Sequence, residues 1–186
     1  MPDFVFLGYC AKGAYTMPFA GRDRDIASVS ECITKRPDDW VKRWNFNRST
    51  FWNTEAEAWA CVPDESKSEF KLFAYRILPL LFDTSGVEKQ ITIDQLFPGD
   101  LPDLSRESAS PQFQRIGYDV VERDVSTGML GFGCSPLSCN GMAEGIDVNE
   151  FCLIDDLETA LTAAWRFGVE QPEPGPYVIV EVLAPR

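Results

Sequence analysis

The first and last segments of the chain strongly favour β-strands, and this feature most constrains the fold. Asp3–Cys10 alternates and is rich in aromatic and β-branched residues, and the final strand pattern reads Tyr-Val-Ile-Val-Glu-Val-Leu over Tyr177–Leu183. Helical patterns are placed irregularly between these strands, without the regular βαβ alternation of a parallel sheet. We therefore predict an α+β fold with a mainly antiparallel sheet and about three packed helices.

Two of the three predicted helices lie in the first third of the chain. Asp25–Thr34 spaces its apolar residues at three and four, which is typical of an amphipathic helix. Thr54–Cys61 opens with Thr-Glu-Ala-Glu, the pattern of a capping box, in which side chains satisfy the free amides at a helix start. The residues at 11–21 have no clear period, and we predict a surface loop there.

The clearest helix pattern spans Asp155–Phe167. Its acidic first turn suits the helix dipole, and its apolar residues, Trp165 among them, recur at three and four. We predict that Asp155 caps this helix and that Gly168 ends it.

Three further segments are predicted to be strands: Glu69–Phe82, Val87–Ile93 and Arg115–Asp124. The first of these also fits a helix face, but Pro79 and the aromatic content favour a strand. With 186 residues and 45% hydrophobic content, the chain has enough material for one core, so we predict a single domain over 1–186. The Pro- and Ser-rich stretch at 97–112 is predicted to be a long loop, or a linker between two lobes.

Glycines and cysteines are concentrated in residues 128–152, which we call the Gly/Cys loop. It holds three of the six cysteines and five of the thirteen glycines. Backbone amides at such a turn can favour a thiolate, so Cys134 and Cys139 are candidate catalytic or redox residues. The alternative is that they are buried and inert. A zinc site with Cys152 lacks the usual short CxxC spacing, and we predict neither a metal nor a cofactor.

The chain contains no histidine. This excludes Ser-His and Cys-His nucleophilic pairs and every metal site that requires imidazole. The chain also lacks the glycine-rich motifs of nucleotide-binding sheets. Any catalysis would depend on carboxylates, thiols, Lys, Arg, Tyr or a cofactor, and the sequence leaves open whether the protein is an enzyme.

A basic aromatic segment at 35–52 interleaves five cations with five aromatic rings. Rings and guanidinium groups stack on planar ligands, so this segment is a candidate binding surface. Its alternative role is structural, with rings in the core and cations extending to solvent. The candidate binding residues are Trp40, Arg43, Trp44, Arg48 and Trp52.

Negative charge is concentrated after residue 50. Residues 1–50 carry eight Lys/Arg and six Asp/Glu (+2), whereas 51–186 carry nine and twenty-three (−14), for a net charge of −12. This disfavours nucleic acid, whose binding requires clustered cations. The early acid and the short apolar run at the N-terminus argue against a secretory signal, and no apolar run suits a membrane span. We predict a cytoplasmic, soluble protein.

These observations favour a non-catalytic interaction or regulatory protein, similar in kind to an inhibitor or immunity protein. Its acidic face would bind a protein partner with a basic surface. The alternative hypothesis is a cysteine-dependent enzyme or redox protein that uses Cys134 or Cys139 in the Gly/Cys loop. The sequence does not indicate an oligomeric state.

Overall fold

The computed structural model describes residues 3–13, 15–17, 22–24, 27–30, 51–86, 88–92, 95, 109–124, 131–138 and 145–186. Within these residues the fold is α+β, with a curled antiparallel sheet and packed helices, which confirms the predicted class. The strands are β1 (Val5–Gly13), β2 (Tyr15–Met17), β3 (Arg22–Arg24), β4 (Phe70–Phe82), β5 (Glu88–Gln90), β6 (Phe113–Asp124), β7 (Gly131–Phe132) and β8 (Tyr177–Pro185). The helices are α1 (Glu55–Ala60), α2 (Leu157–Glu170) and a 3-10 helix at Asp64–Glu69.

The main sheet has the strand order β1-β4-β8-β6-β7, and β5 also pairs with β4. Every described pairing is antiparallel. The predicted strands over Glu69–Phe82, Val87–Ile93 and Arg115–Asp124 are confirmed in type as β4, β5 and β6. The C-terminal strand β8 lies at the centre of the order, which explains its continuous apolar pattern, since a central strand is buried on both faces.

Two strands of this sheet, β1 at one end of the order and β6 beside the short strand β7, each make an additional one-residue bridge. On β1, Tyr9 and Trp52 exchange two backbone hydrogen bonds of 2.8 Å. On β6, Tyr118 and Ile154 do the same at 2.7 and 2.9 Å. The backbone groups that would otherwise point away from the sheet at these two positions are therefore already paired.

The two faces of the sheet are covered differently. One face, which we call the loop face, packs Tyr75, Val121 and Val180 against Ala27, Phe51 and other residues from connecting segments. The other, the helix face, packs against both helices. Ala160, Ala163, Ala164 and Phe167 of α2 lie on one part of it and Ala58 of α1 on another.

The capping box predicted at Thr54 is present at the start of α1. The Glu57 amide donates to Thr54 Oγ1 (3.2 Å), and the Thr54 amide donates to Glu57 Oε2 (3.0 Å). Two amides that have no partner within the helix are thus satisfied by side chains. The predicted helix over Thr54–Cys61 is confirmed.

The predicted helix over Asp155–Phe167 is also confirmed, but both of its predicted ends are wrong. Asp156 is the N-cap and accepts a hydrogen bond from the Thr159 amide (2.8 Å), whereas Asp155 accepts from the Asn149 side-chain amide (2.8 Å). Gly168 lies inside the helix, which continues to Glu170. A Cβ at Gly168 would lie only 3.1 Å from the Asp83 carbonyl oxygen, so this glycine permits close packing rather than helix termination.

The predictions for residues 11–34 are wrong where the structure describes them. Residues 11–13 extend β1 and 15–17 form β2 in place of the predicted loop, and 22–24, between the predicted loop and the predicted helix, form β3. Residues 27–30 are not helical, because the Val29 amide and the Ser28 hydroxyl bond to a carboxylate on the sheet. Residues 31–34 lie outside the described residues.

Most of the predicted long loop at 97–112 also lies outside the described residues. At its end, the Ser110 amide donates to the Tyr9 hydroxyl (3.0 Å), so this part of the loop is attached to β1. The choice between one domain and two lobes stays a prediction. Among the described residues, no helix is both long enough and apolar enough to cross a membrane.

Candidate functional site

Of the predicted binding residues in the basic aromatic segment, only Trp52 falls within the described residues; Trp40, Arg43, Trp44 and Arg48 lie outside them. Trp52 is half-buried, and it packs beside α1 against the helix-face core. Its backbone forms the bridge to Tyr9 on β1. The described contacts of Trp52 are therefore structural, and its proposed role in ligand binding stays a prediction.

The residues that flank 31–50 both contact the Gly/Cys loop. The Ser30 hydroxyl donates to the Gly133 carbonyl (2.7 Å), and the Phe51 ring lies 6.0 Å from the Phe132 ring in an edge-on arrangement. The structure thus places Phe51 of the basic aromatic segment, and Ser30 shortly before that segment, against the Gly/Cys loop. Sequence patterns gave no sign of this proximity, because more than eighty residues separate these partners.

Cys134 lies next to a carboxylate. Its amide donates to Glu122 Oε2 (3.3 Å), and its carbonyl accepts from the Glu122 amide (2.9 Å). Both hydrogen bonds are made by the backbone of Cys134, so they hold this residue against β6. Cys139 lies outside the described residues, and the predicted pair of reactive thiols stays a prediction.

A buried carboxylate, Asp119 on β6, is the centre of a polar cluster on the loop face. Its Oδ2 accepts from the Ser28 hydroxyl (2.6 Å) and the Val29 amide (2.9 Å), and its Oδ1 accepts from the Ser135 hydroxyl (2.6 Å). Asp119, Ser28 and Ser135 have no solvent exposure. One side chain therefore binds two segments, 27–30 and 133–138, to the same face of the sheet.

Lys12 and Tyr75 complete what we call the Asp119 cluster. The Lys12 ammonium donates to the Ser28 carbonyl and lies 5.4 Å from the centre of the Tyr75 ring, while the Tyr75 hydroxyl donates to the Ala27 carbonyl (3.0 Å). Burial raises the pKa of Asp119, although its hydrogen bonds and the nearby Lys12 act in the opposite direction. Burial also raises the pKa of Tyr75 well above its ordinary value.

The chemistry of the Asp119 cluster is that of a structural clamp. Buried charges persist when they are paired and hydrogen-bonded, and each Asp119 oxygen has a described donor. Sequence patterns did not indicate this cluster, because the partners of Asp119 lie sixteen or more residues away along the chain. One sequence feature could have indicated a buried polar cluster. Asp119 is a charged residue in an apolar strand, and it shares a face of that strand with Val121, two residues further on.

The outer side of α2 exposes apolar surface. Trp165 is 51% exposed and Val169 is 45% exposed, and these are the large hydrophobic side chains that are exposed among the described residues. The Trp165 indole nitrogen donates to the Gly86 carbonyl (2.9 Å) in the turn after β4.

Acidic side chains are frequent in the segment of the chain that contains α2. Residues 145–173, which we call the acidic surface, contain seven carboxylates and one cation, Arg166, for a net charge of −6. Six of the carboxylates are exposed: Asp147, Glu150, Asp155, Asp156, Glu158 and Glu170. A groove of about 460 Å³ runs along the start of α2, with Asp147, Asp155 and Asp156 beside the apolar Ile146 and Ile154.

Within the described part of the chain, no group of three or more Cys, Asp or Glu residues is arranged to hold a metal ion. No protein-family model, curated protein or solved structure matches the chain.

Proposed function

We propose that this chain is a non-catalytic interaction protein, similar in kind to an inhibitor or immunity protein, which presents its acidic surface to a basic protein partner. The observation that carries the proposal is the composition of residues 145–173, where six exposed carboxylates accompany a single arginine. That arginine, Arg166, already forms an ion pair with Glu170 (2.9 Å). The acidic surface therefore offers a negative potential to a cationic protein.

Such a surface acts mainly on association rate and on partner choice. A negative potential attracts cationic partners and repels anionic ones, and the effect weakens as salt screens the charges. The same potential opposes binding to phosphate backbones. We also propose a cytoplasmic location, supported by the cysteine content, since six cysteines in 186 residues suit reduced thiols better than the disulfide framework of a small secreted domain.

The test compares the wild-type chain with a variant in which Asp147→Asn, Glu150→Gln and Glu158→Gln neutralise three exposed carboxylates. Each chain is immobilised, proteins retained from a cell extract at low salt are identified, and the partner is purified and titrated at three salt concentrations. We expect a partner with a basic surface, whose affinity for the wild type falls steadily as salt rises. The variant should bind this partner about tenfold more weakly than the wild type. Asp156 is left intact because it caps α2.

The matched control carries Asp3→Asn, Glu65→Gln and Glu88→Gln, which remove the same amount of charge from exposed positions outside the acidic surface. It should bind like the wild type. Equal weakening by both variants would attribute binding to overall charge rather than to the acidic surface. If no retained protein distinguishes the wild type from the acidic-surface variant, the proposal is wrong.

A further inference from the structure

The exposed side of α2 has a continuous stripe of side chains. Glu158, Thr162, Trp165 and Val169 follow one another at spacings of four, three and four, which places them along one side of the helix. All four are exposed. The opposite side of α2 packs into the core through its alanines and Phe167. The helix is therefore apolar on its buried side and also exposes apolar surface on its outer side.

Trp165 is held in one orientation. Its indole donates to the Gly86 carbonyl (2.9 Å), and a Cβ at Gly86 would lie 3.9 Å from the Trp165 Nε1 and 3.8 Å from a Val169 methyl. Both side chains thus rest against the turn after β4 while about half of each faces solvent. An aromatic side chain that is already ordered loses little conformational entropy when a partner covers it. Such tryptophans are frequent energetic centres of protein interfaces.

We infer that Trp165 and Val169 form the apolar centre of the docking surface, and that the occupant is an amphipathic segment of a protein, with an apolar strip flanked by Lys or Arg. The inference rests on the proposed function. Charge complementarity selects this occupant, because the apolar pair belongs to the segment 145–173 of net charge −6, whose exposed carboxylates include Glu158 and Glu170 on the same helix. A second copy of the chain would bring like charges together, and an anionic lipid surface would be repelled.

Two synthetic helical peptides test the inference. In the first, leucines form one stripe and lysines occupy the remaining positions; in the second, serines replace the leucines and the lysines are unchanged. We expect the wild-type chain to bind the Leu/Lys peptide more tightly than the Ser/Lys peptide in calorimetric titrations at low salt. Trp165→Ala should weaken binding of the Leu/Lys peptide roughly 30-fold and bring it close to that of the Ser/Lys peptide.

Val169→Ser provides a second variant with a milder expected loss, and circular dichroism establishes that each variant is folded. Glu65→Gln, on the 3-10 helix, is the control and should bind both peptides like the wild type. If the wild type binds both peptides equally, or if folded Trp165→Ala and Val169→Ser bind the Leu/Lys peptide like the wild type, the inference is overturned while the proposed function stands. If neither peptide binds the wild type, the proposed function fails together with the inference.

Discussion

Asp119 and Asp156 show how differently the two polar regions of this protein use the same side chain. Asp119 is buried on the loop face and binds two segments to the sheet, and its burial raises its pKa. Asp156 is exposed on the acidic surface, where a hydrogen bond from the Thr159 amide lowers its pKa. The Asp119 cluster is therefore organised for stability, whereas the acidic surface keeps its charges available to solvent.

The largest effect is expected from Asp119→Ala. The substitution leaves the Ser28 and Ser135 hydroxyls, the Val29 amide and the Lys12 ammonium without this carboxylate in a buried site. Breaking such a buried charged network costs about 3–5 kcal/mol in the free energy of unfolding. Urea denaturation measures this loss. A cost below about 1 kcal/mol, which is ordinary for a point substitution, would show that the Asp119 cluster does not act as a clamp.

A several-fold smaller loss of stability is expected from Asp156→Ala. The substitution removes the side-chain acceptor for the Thr159 amide at the start of α2, but solvent can replace it because the site is exposed. Asp156→Asn retains a capping oxygen and should lie close to the wild type in the same urea titration. A loss equal to that of Asp119→Ala would remove the distinction between the two regions.

The smallest expected effect is the pH dependence of stability, for which the two carboxylates should differ in direction. The folded pKa of Asp119 is raised, so the folded state keeps a proton that the unfolded chain has lost. The contribution of Asp119 to the free energy of unfolding should therefore fall as pH rises from about 4 through its folded pKa. The folded pKa of Asp156 is lowered. Its contribution should be present above about pH 4 and be lost as pH falls through its folded pKa.

Two variants isolate the contributions of Asp119 and Asp156 to stability. The free energy of unfolding of Asp119→Asn, and separately that of Asp156→Asn, is subtracted from the wild-type value. Each is measured by urea denaturation over a series of pH values. We expect the Asp119 difference to fall as pH rises above about 4, and the Asp156 difference to rise with pH up to about 4. Slopes of the same sign would contradict the contrast in burial on which the comparison depends.

The sequence predicted those parts of the fold that depend on local patterns. The capping box at Thr54 and the strand runs of β4, β6 and β8 need only near neighbours, and their types were predicted correctly. The helix expected at 25–34 was wrong over 27–30 because Ser28 and Val29 bond to Asp119, some ninety residues away. Local periodicity carries no information about such a partner.

The candidate site was less predictable for the same reason. Trp165 fits an apolar helix period, and only the packing of α2 shows that its side chain is on the outer side. The acidity of the second part of the chain was visible in the composition. The exposure of Trp165 beside this acidity depends on how α2 is rotated about its own axis. The pattern of alanines in α2 does not fix that rotation by itself.

The bridges from Tyr9 to Trp52 and from Tyr118 to Ile154 have a consequence for how this protein behaves at high concentration. A foreign strand that approaches β1 at Tyr9 or β6 at Tyr118 meets amide and carbonyl groups that are already paired at these residues. Extending the hydrogen-bond ladder there requires displacing a native segment first. The two bridges thus hinder fibril-like pairing of strands between molecules at these positions. Association between molecules there would have to use side-chain contacts rather than backbone hydrogen bonds.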